Sequence, residues 1–367
     1  MYNFSEVNFL SEKTFKLSIA LLSVLGVIVL AAGIAFSAVP TGLKTDENPV
    51  SAPSEPTEEQ IYTPIVDTKT AETFDSVIDK INKLKNRYPD LIKFYTAGYS
   101  EGGNEIFMYT LGKGEKKALI TGAIHAREHI TTKYILKVTE DYCRAYESPS
   151  GHLGNYNIYE LLNEYTVYVI PVINPDGLKI IQGELNPERN VRVSKLSEYK
   201  ANKNGVDLNR NFPLAWEHIN NKVYAPADYY FKGYTPASEK ETQILMDLCN
   251  TNNFDFLISF HVKGNVIFWG DTYNTQMNSI YKGFAQDIAY ACDFSLPLPT
   301  MRSTDYGGGF ENWFRHTYSR PGICIELVKN QNTILPLSNA NYVDFNSFVN
   351  YEKTVYALCA ALDSNNK

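Results

Sequence analysis

Residues 165–173, Tyr-Thr-Val-Tyr-Val-Ile-Pro-Val-Ile, run nine positions without a charge and consist mostly of β-branched and aromatic side chains. A run of this kind suits a central strand buried on both faces. Such a strand needs a layer on each side, and the flanking sequence supplies both. Phe74, Val77, Ile78, Ile81 and Leu84 recur at helical spacing, and further helices are expected over residues 131–146, 238–250, 276–292, 310–316 and 342–362. Strands are expected over residues 91–98, 105–111, 117–123, 256–260, 266–269 and 322–328, the first two parted by a Gly102-Gly103 turn. Alternation of this kind predicts an α/β protein of three layers, α/β/α, around a mixed, largely parallel central sheet.

The remainder of the chain precedes that domain. Residues 17–39 are 23 positions with no charge, and at about 1.5 Å per residue a helix of that length matches the roughly 30 Å of a bilayer core. Lys13 and Lys16 stand before this segment and acidic residues follow it, so residues 1–16 are expected in the cytosol and the domain outside. A single-pass cell-membrane protein is therefore one expectation. A cleaved signal segment, with small residues Ala35, Ser37 and Ala38 near its end and a secreted domain, is the other. Residues 40–60 carry four prolines and read as an acidic, Pro-rich linker, which places the folded domain at residues 61–367.

The net charge of −7 is unevenly spread: Lys44 against Asp46, Glu47, Glu55, Glu58 and Glu59 puts −4 in the linker, and residues 1–16 cancel, leaving −3 for the rest. A near-neutral domain lacks the basic footprint of a nucleic-acid binder, so no nucleic-acid partner is expected. Five cysteines without a C-x-x-C pair, all in apolar stretches, argue against a disulfide framework or a zinc ribbon.

Sheets of this class place binding groups where strands run out into loops. Three strand ends stand out. Residues 118–124 run into His125-Ala-Arg-Glu128, residues 256–260 into His261, and residues 323–325 into Glu326. His125 and Glu128 alone also suit a surface pair. With His261 they form a set of two imidazoles and one carboxylate, which suits zinc with an open coordination position. His129, His152, His218 and His316 have no partner at ligand spacing and are expected to be surface or supporting groups.

Six ordered motifs now coincide: His125-Ala-Arg-Glu128, Asn174-Pro-Asp-Gly177, Gly205-Val-Asp-Leu-Asn-Arg-Asn-Phe212, Ser259-Phe-His261, Gly308-Gly309 with Trp313, and Ile325-Glu326-Leu327. In these the chain resembles the zinc carboxypeptidases of the carboxypeptidase A type, the M14 metallopeptidases, over residues 62–362. The resemblance implies one zinc per chain held by His125, Glu128 and His261, with Glu326 as general base and Asp207 accepting a hydrogen bond from a ligand imidazole. It assigns Asn209 and Arg210 to the substrate's terminal carboxylate and Arg127 to a more distant subsite. Asn174–Gly177 is expected to be a structural turn.

Two positions depart from the family pattern. Where the family usually has an oxyanion-steadying arginine, this chain offers Lys200, with Arg192 a second candidate. The family's mobile tyrosine falls on Thr304, and Tyr306 is the nearby substitute for binding substrate. Glu311 occupies the position that selects the residue after the cut, where it favours a basic side chain, unless the loop register differs and it is a solvated helix face.

The function expected is a zinc-dependent metallocarboxypeptidase, hydrolysing the C-terminal peptide bond of an extracellular peptide and acting as a monomer. The stretches His261-Val-Lys-Gly-Asn-Val-Ile-Phe-Trp269 and Tyr199-Lys-Ala-Asn202 are similar to bacterial γ-D-glutamyl-diamino-acid endopeptidases, which makes cell-wall (peptidoglycan) stem peptides the alternative substrate. A zinc deacylase and a non-catalytic peptide-binding module complete the alternatives.

Overall fold

A computed structural model describes residues 62–220, 222–299, 307–329 and 345–367. The expected cytosolic residues 1–16, membrane or signal segment 17–39 and linker 40–60 lie outside the described residues. The single-pass membrane placement is corrected here: among the described residues no helix is long and apolar enough to cross a membrane.

Seven strands form the main sheet, in the order Ile92–Tyr99, Glu105–Gly112, Tyr165–Ile170, Lys116–Thr121, Phe256–Val262, Gly322–Leu327, Val266–Phe268. The four strands from Tyr165–Ile170 to Gly322–Leu327 run parallel, and the strands outside them each pair antiparallel with their neighbours. The sheet is mixed, and the uncharged run supplies its third strand, paired on both edges.

Strand side chains alternate faces, and two cores follow from that. Ala118, Ile120, Phe256, Ile258 and Phe260 join the larger core beneath helices Phe74–Arg87, Ile130–Glu147, Asn278–Cys292 and Ala357–Ser364. Leu119 and Leu257 join the other, with Leu245 and Cys249 of helix Lys240–Asn252 and Phe310, Trp313 and Phe314 of helix Phe310–Tyr318. Ser259 and His261 fall at the same alternation as Leu257, so the last positions of that strand turn polar side chains toward the face covered by helix Phe310–Tyr318. All five cysteines are free thiols.

Three local expectations change. The long C-terminal helix is divided into Phe345–Phe348, Tyr351–Thr354 and Ala357–Ser364, and Asn350 makes the first of the two breaks by adopting the left-handed region at φ 49°. The strand expected to reach Ile173 stops at Ile170. Asn174-Pro-Asp-Gly177 opens a helix, Pro175–Ile181: Asn174 Oδ1 accepts from Gly177 N at 2.8 Å and Pro175 takes the first helical position.

Helix Lys240–Asn252 begins beside Glu101, Glu239 and Glu241. Burial pushes the Glu241 carboxyl up to about 8, with Asp176 and Glu239 adding repulsion. The folded protein therefore holds a proton that the unfolded chain releases above the usual carboxylate range. Stability from this group is full in acid and is lost as pH rises through about 8, with a slope approaching ~1.4 kcal/mol per pH unit. Urea midpoints between pH 5 and 9 should fall with pH in the wild type and flatten in Glu241→Gln; parallel profiles would refute the assignment.

Candidate active site

A short link with Ala123 in the left-handed region at φ 47° leads from the strand Lys116–Thr121 to His125, and the single turn Ala126–Glu128 brings Glu128 back toward it. His125 Nδ1 lies 3.0 Å from Glu128 Oε1. The neighbouring parallel strand delivers His261, whose Nδ1 is 3.1 Å from Glu128 Oε2. The two imidazole rings are 5.0 Å apart. All three residues are buried, and one ligand atom from each lies within 4.8 Å of the others. Two imidazoles and a carboxylate, converging through their Nδ1 and Oε atoms, form a donor set that fits zinc.

Glu326 arrives by register. In the parallel pairing of Phe256–Val262 with Gly322–Leu327, His261 stands opposite Glu326. Glu326 Oε2 is buried without a hydrogen-bond partner among the described residues. Burial pushes this carboxyl up to about 7, Glu128 and Glu311 add to the rise, and His261 and Lys200 oppose it.

A cavity of about 130 Å³ collects the remaining groups: His125, Lys200, Asn209, Arg210, His261, Glu311, Arg315 and Glu326 all line it. Lys200 Nζ is 3.5 Å from Glu128 Oε1. Arg192, the other candidate cation, is exposed and is not among the lining residues. Asp207 Oδ1 sits 3.2 Å from His125 Nε2, and its Oδ2 accepts from Tyr230 N at 3.2 Å. Burial would raise the Asp207 carboxyl, but His125, Arg210 and Lys200 together hold it well below the usual range.

Asn209 and Arg210 lie on a short turn, Leu208–Arg210. Asn209 Oδ1 accepts from Phe310 N at 2.7 Å. Gly308 makes this approach possible: its φ is 72°, and a Cβ there would stand 2.2 Å from the Arg210 carbonyl oxygen. Glu311 is buried, with Oε1 3.0 Å from His261 Nε2, so it is not a solvated helix face. Arg127 pairs with Glu198 and is not among the lining residues. Tyr306 lies outside the described residues.

Asn174 was missed as a supporting residue. Its Nδ2 donates to Ala201 O at 3.0 Å and reaches Ile124 O at 3.3 Å, tying the Lys200 segment to the loop that carries His125. Its motif was visible, but nothing local indicated which carbonyls it would meet. Of the other histidines, His152, His218 and His316 are exposed, whereas His129 is buried and burial pushes its imidazole down to about 4.

The comparisons with known proteins agree with this geometry. The family model for zinc carboxypeptidases, peptidase family M14, matches residues 77–345. The chain is 30% identical to the uncharacterized protein YqgT of Bacillus subtilis over 289 residues, covering 73% of each chain. It is 29% identical to γ-D-glutamyl-L-diamino acid endopeptidase 1 of Lysinibacillus sphaericus, covering 72% of this chain and 67% of that one. Mast cell carboxypeptidase A of Mus musculus is 27% identical over 51% of this chain and 44% of its own. Among solved structures, thrombin-activatable fibrinolysis inhibitor superposes with a TM-score of 0.64 at 17% identity, over 82% of this chain and 76% of that one. With a family model spanning most of the domain and a His-Glu-His group at its strand ends, the chain belongs to the zinc carboxypeptidase family and is a zinc metallopeptidase.

Proposed function

We propose that this protein is a metallocarboxypeptidase that hydrolyses the C-terminal bond of a peptide. The observation that carries the reading is the placement of one unpartnered buried carboxylate oxygen, on Glu326, in the same small cavity as His125, His261, Asn209 and Arg210. His125, Glu128 and His261 would hold the zinc, which when bound lowers the pKa of water toward neutrality and polarises a carbonyl.

The chain's own groups supply the rest. Glu326 takes the proton of the attacking water and returns it to the departing amine. Lys200 presents its ammonium where negative charge develops on the carbonyl oxygen, as a point charge without the planar fork of arginine. Arg210 and Asn209 receive the free terminal carboxylate, and Asp207 holds the His125 ring. Arg127, as a contact further from the cut, and Tyr306, as the substitute for the family's mobile tyrosine, belong to this reading as substrate-binding residues.

Arg210→Ala should lower kcat/KM on free-acid peptides by about 30- to 150-fold, the loss of a charged hydrogen bond of about 2–3 kcal/mol. C-terminal amides, which lack the anion, should be poor substrates for wild type and insensitive to the change. Equal losses on acids and amides would remove Arg210 from that role.

A second reading, cleavage of a γ-D-glutamyl–diamino-acid bond in cell-wall stem peptides, is supported by a specific feature of the cavity. It is lined by both Glu311 and Arg315, whose guanidinium donates to Gly322 O and Asn312 Oδ1 and keeps Nε without a hydrogen-bond partner among the described residues. One acidic and one basic group suit a side chain ending in both an ammonium and a carboxylate. The relative from Lysinibacillus sphaericus bears the matching activity in its name. Mass spectrometry of digests decides between them. Release of single amino acids from peptides ending in lysine or phenylalanine supports the carboxypeptidase. Cleavage confined to γ-glutamyl substrates, releasing diaminopimelate-containing fragments, supports the endopeptidase. No cleavage of either by zinc-loaded protein refutes both.

A further inference from the structure

We propose that Glu311 is a positioning residue for His261, accepting a hydrogen bond from the ring's Nε2–H so that Nδ1 is left unprotonated on the side of Glu128. The proposal rests on the reading that His125, Glu128 and His261 hold the metal.

The two imidazoles are arranged alike. Each turns Nδ1 toward Glu128, at 3.0 Å for His125 and 3.1 Å for His261. Each turns Nε2 toward a second buried carboxylate, Asp207 at 3.2 Å and Glu311 at 3.0 Å. A neutral imidazole has one N–H, and the group that accepts it decides which nitrogen keeps a free lone pair. Asp207 makes that choice for His125, and the same geometry assigns it to Glu311 for His261.

Ser259 Oγ is the other group near His261 Nε2, at 3.2 Å. A hydroxyl is a weaker acceptor than a carboxylate and can itself donate, so Glu311 is the partner that accepts the Nε2–H hydrogen bond. The Glu311 carboxylate is held on its far side as well, with Oε2 3.5 Å from Asn209 Nδ2. Asn209 is in turn fixed by Phe310 N. Glu311 thus joins the ligand imidazole to the turn carrying Asn209 and Arg210. Its charge still borders the cavity. What changes is its first task, which is orienting a ring rather than greeting a substrate side chain.

Zinc affinity by chelator competition, measured on folded metal-free protein, tests the proposal without reference to turnover. Glu311→Leu fills the same space without an acceptor and should weaken zinc binding by about 10- to 100-fold. Glu311→Gln keeps an acceptor oxygen and should remain closer to wild type than Glu311→Leu. The visible spectrum of the cobalt-substituted protein should shift in Glu311→Leu and not in Ser259→Ala. If Glu311→Leu does not fold, Glu311→Asp, which withdraws the carboxylate from the ring, takes its place with the same expectation. A variant that binds zinc within threefold of wild type overturns the proposal while leaving the ligand set intact. A wild-type protein that holds no zinc overturns the ligand reading itself.

Discussion

Glu326→Gln is expected to lower kcat by about 10²- to 10⁴-fold, the range typical of a lost general base, while zinc content and the thermal midpoint stay at wild-type values. The side chain keeps its size and one acceptor oxygen but loses the ability to take a proton. Glu326 Oε2 makes no hydrogen bond among the described residues, so the substitution breaks no structural contact on that oxygen. Steady-state kinetics with zinc stoichiometry on the same samples checks this. A fall below tenfold, with zinc retained, would remove Glu326 from the proton-transfer role and leave the cavity in need of another base.

Glu128→Ala is expected to abolish zinc retention and with it all activity above background. Its two oxygens each face one imidazole, at 3.0 and 3.1 Å, and Lys200 Nζ is also within 3.5 Å. Removing it subtracts a ligand and also leaves Lys200 without the carboxylate that neutralises it. The loss should exceed the roughly 10- to 100-fold that follows removal of an outer hydrogen-bond partner such as Asp207. Chelator-stripped wild type should regain activity on adding zinc, and Glu128→Ala should not. Full recovery in the variant would show that the His-Glu-His group is not where the metal acts.

Much of the site was legible because its residues sit at strand ends, where a change from apolar run to polar residue is visible in one dimension. His125, Glu128, His261 and Glu326 were found in that way. Glu311 was not fully legible: its buried place against His261 requires helix Phe310–Tyr318 to cover the face onto which that strand turns its polar residues. The choice between Lys200 and Arg192 was equally open, because both lie in an irregular segment whose path is set by contacts far along the chain. Among these, Lys200 N donates to Asp228 O at 2.7 Å and Arg127 N to Tyr199 O at 3.0 Å.

The sequence by itself determined the layered α/β class, the strands of the sheet and the chemical kinds of residue at their ends, since hydrophobic period and turn residues act over a few positions. Only the tertiary structure decided which of those ends meet. The parallel register sets His261 opposite Glu326, and the fold-back of the segment from Tyr199 to Arg210 brings Lys200 and Asp207 to the ligand group. Both are pairings between distant residues, and their geometry exists only when the sheet and its two covering layers have closed around them.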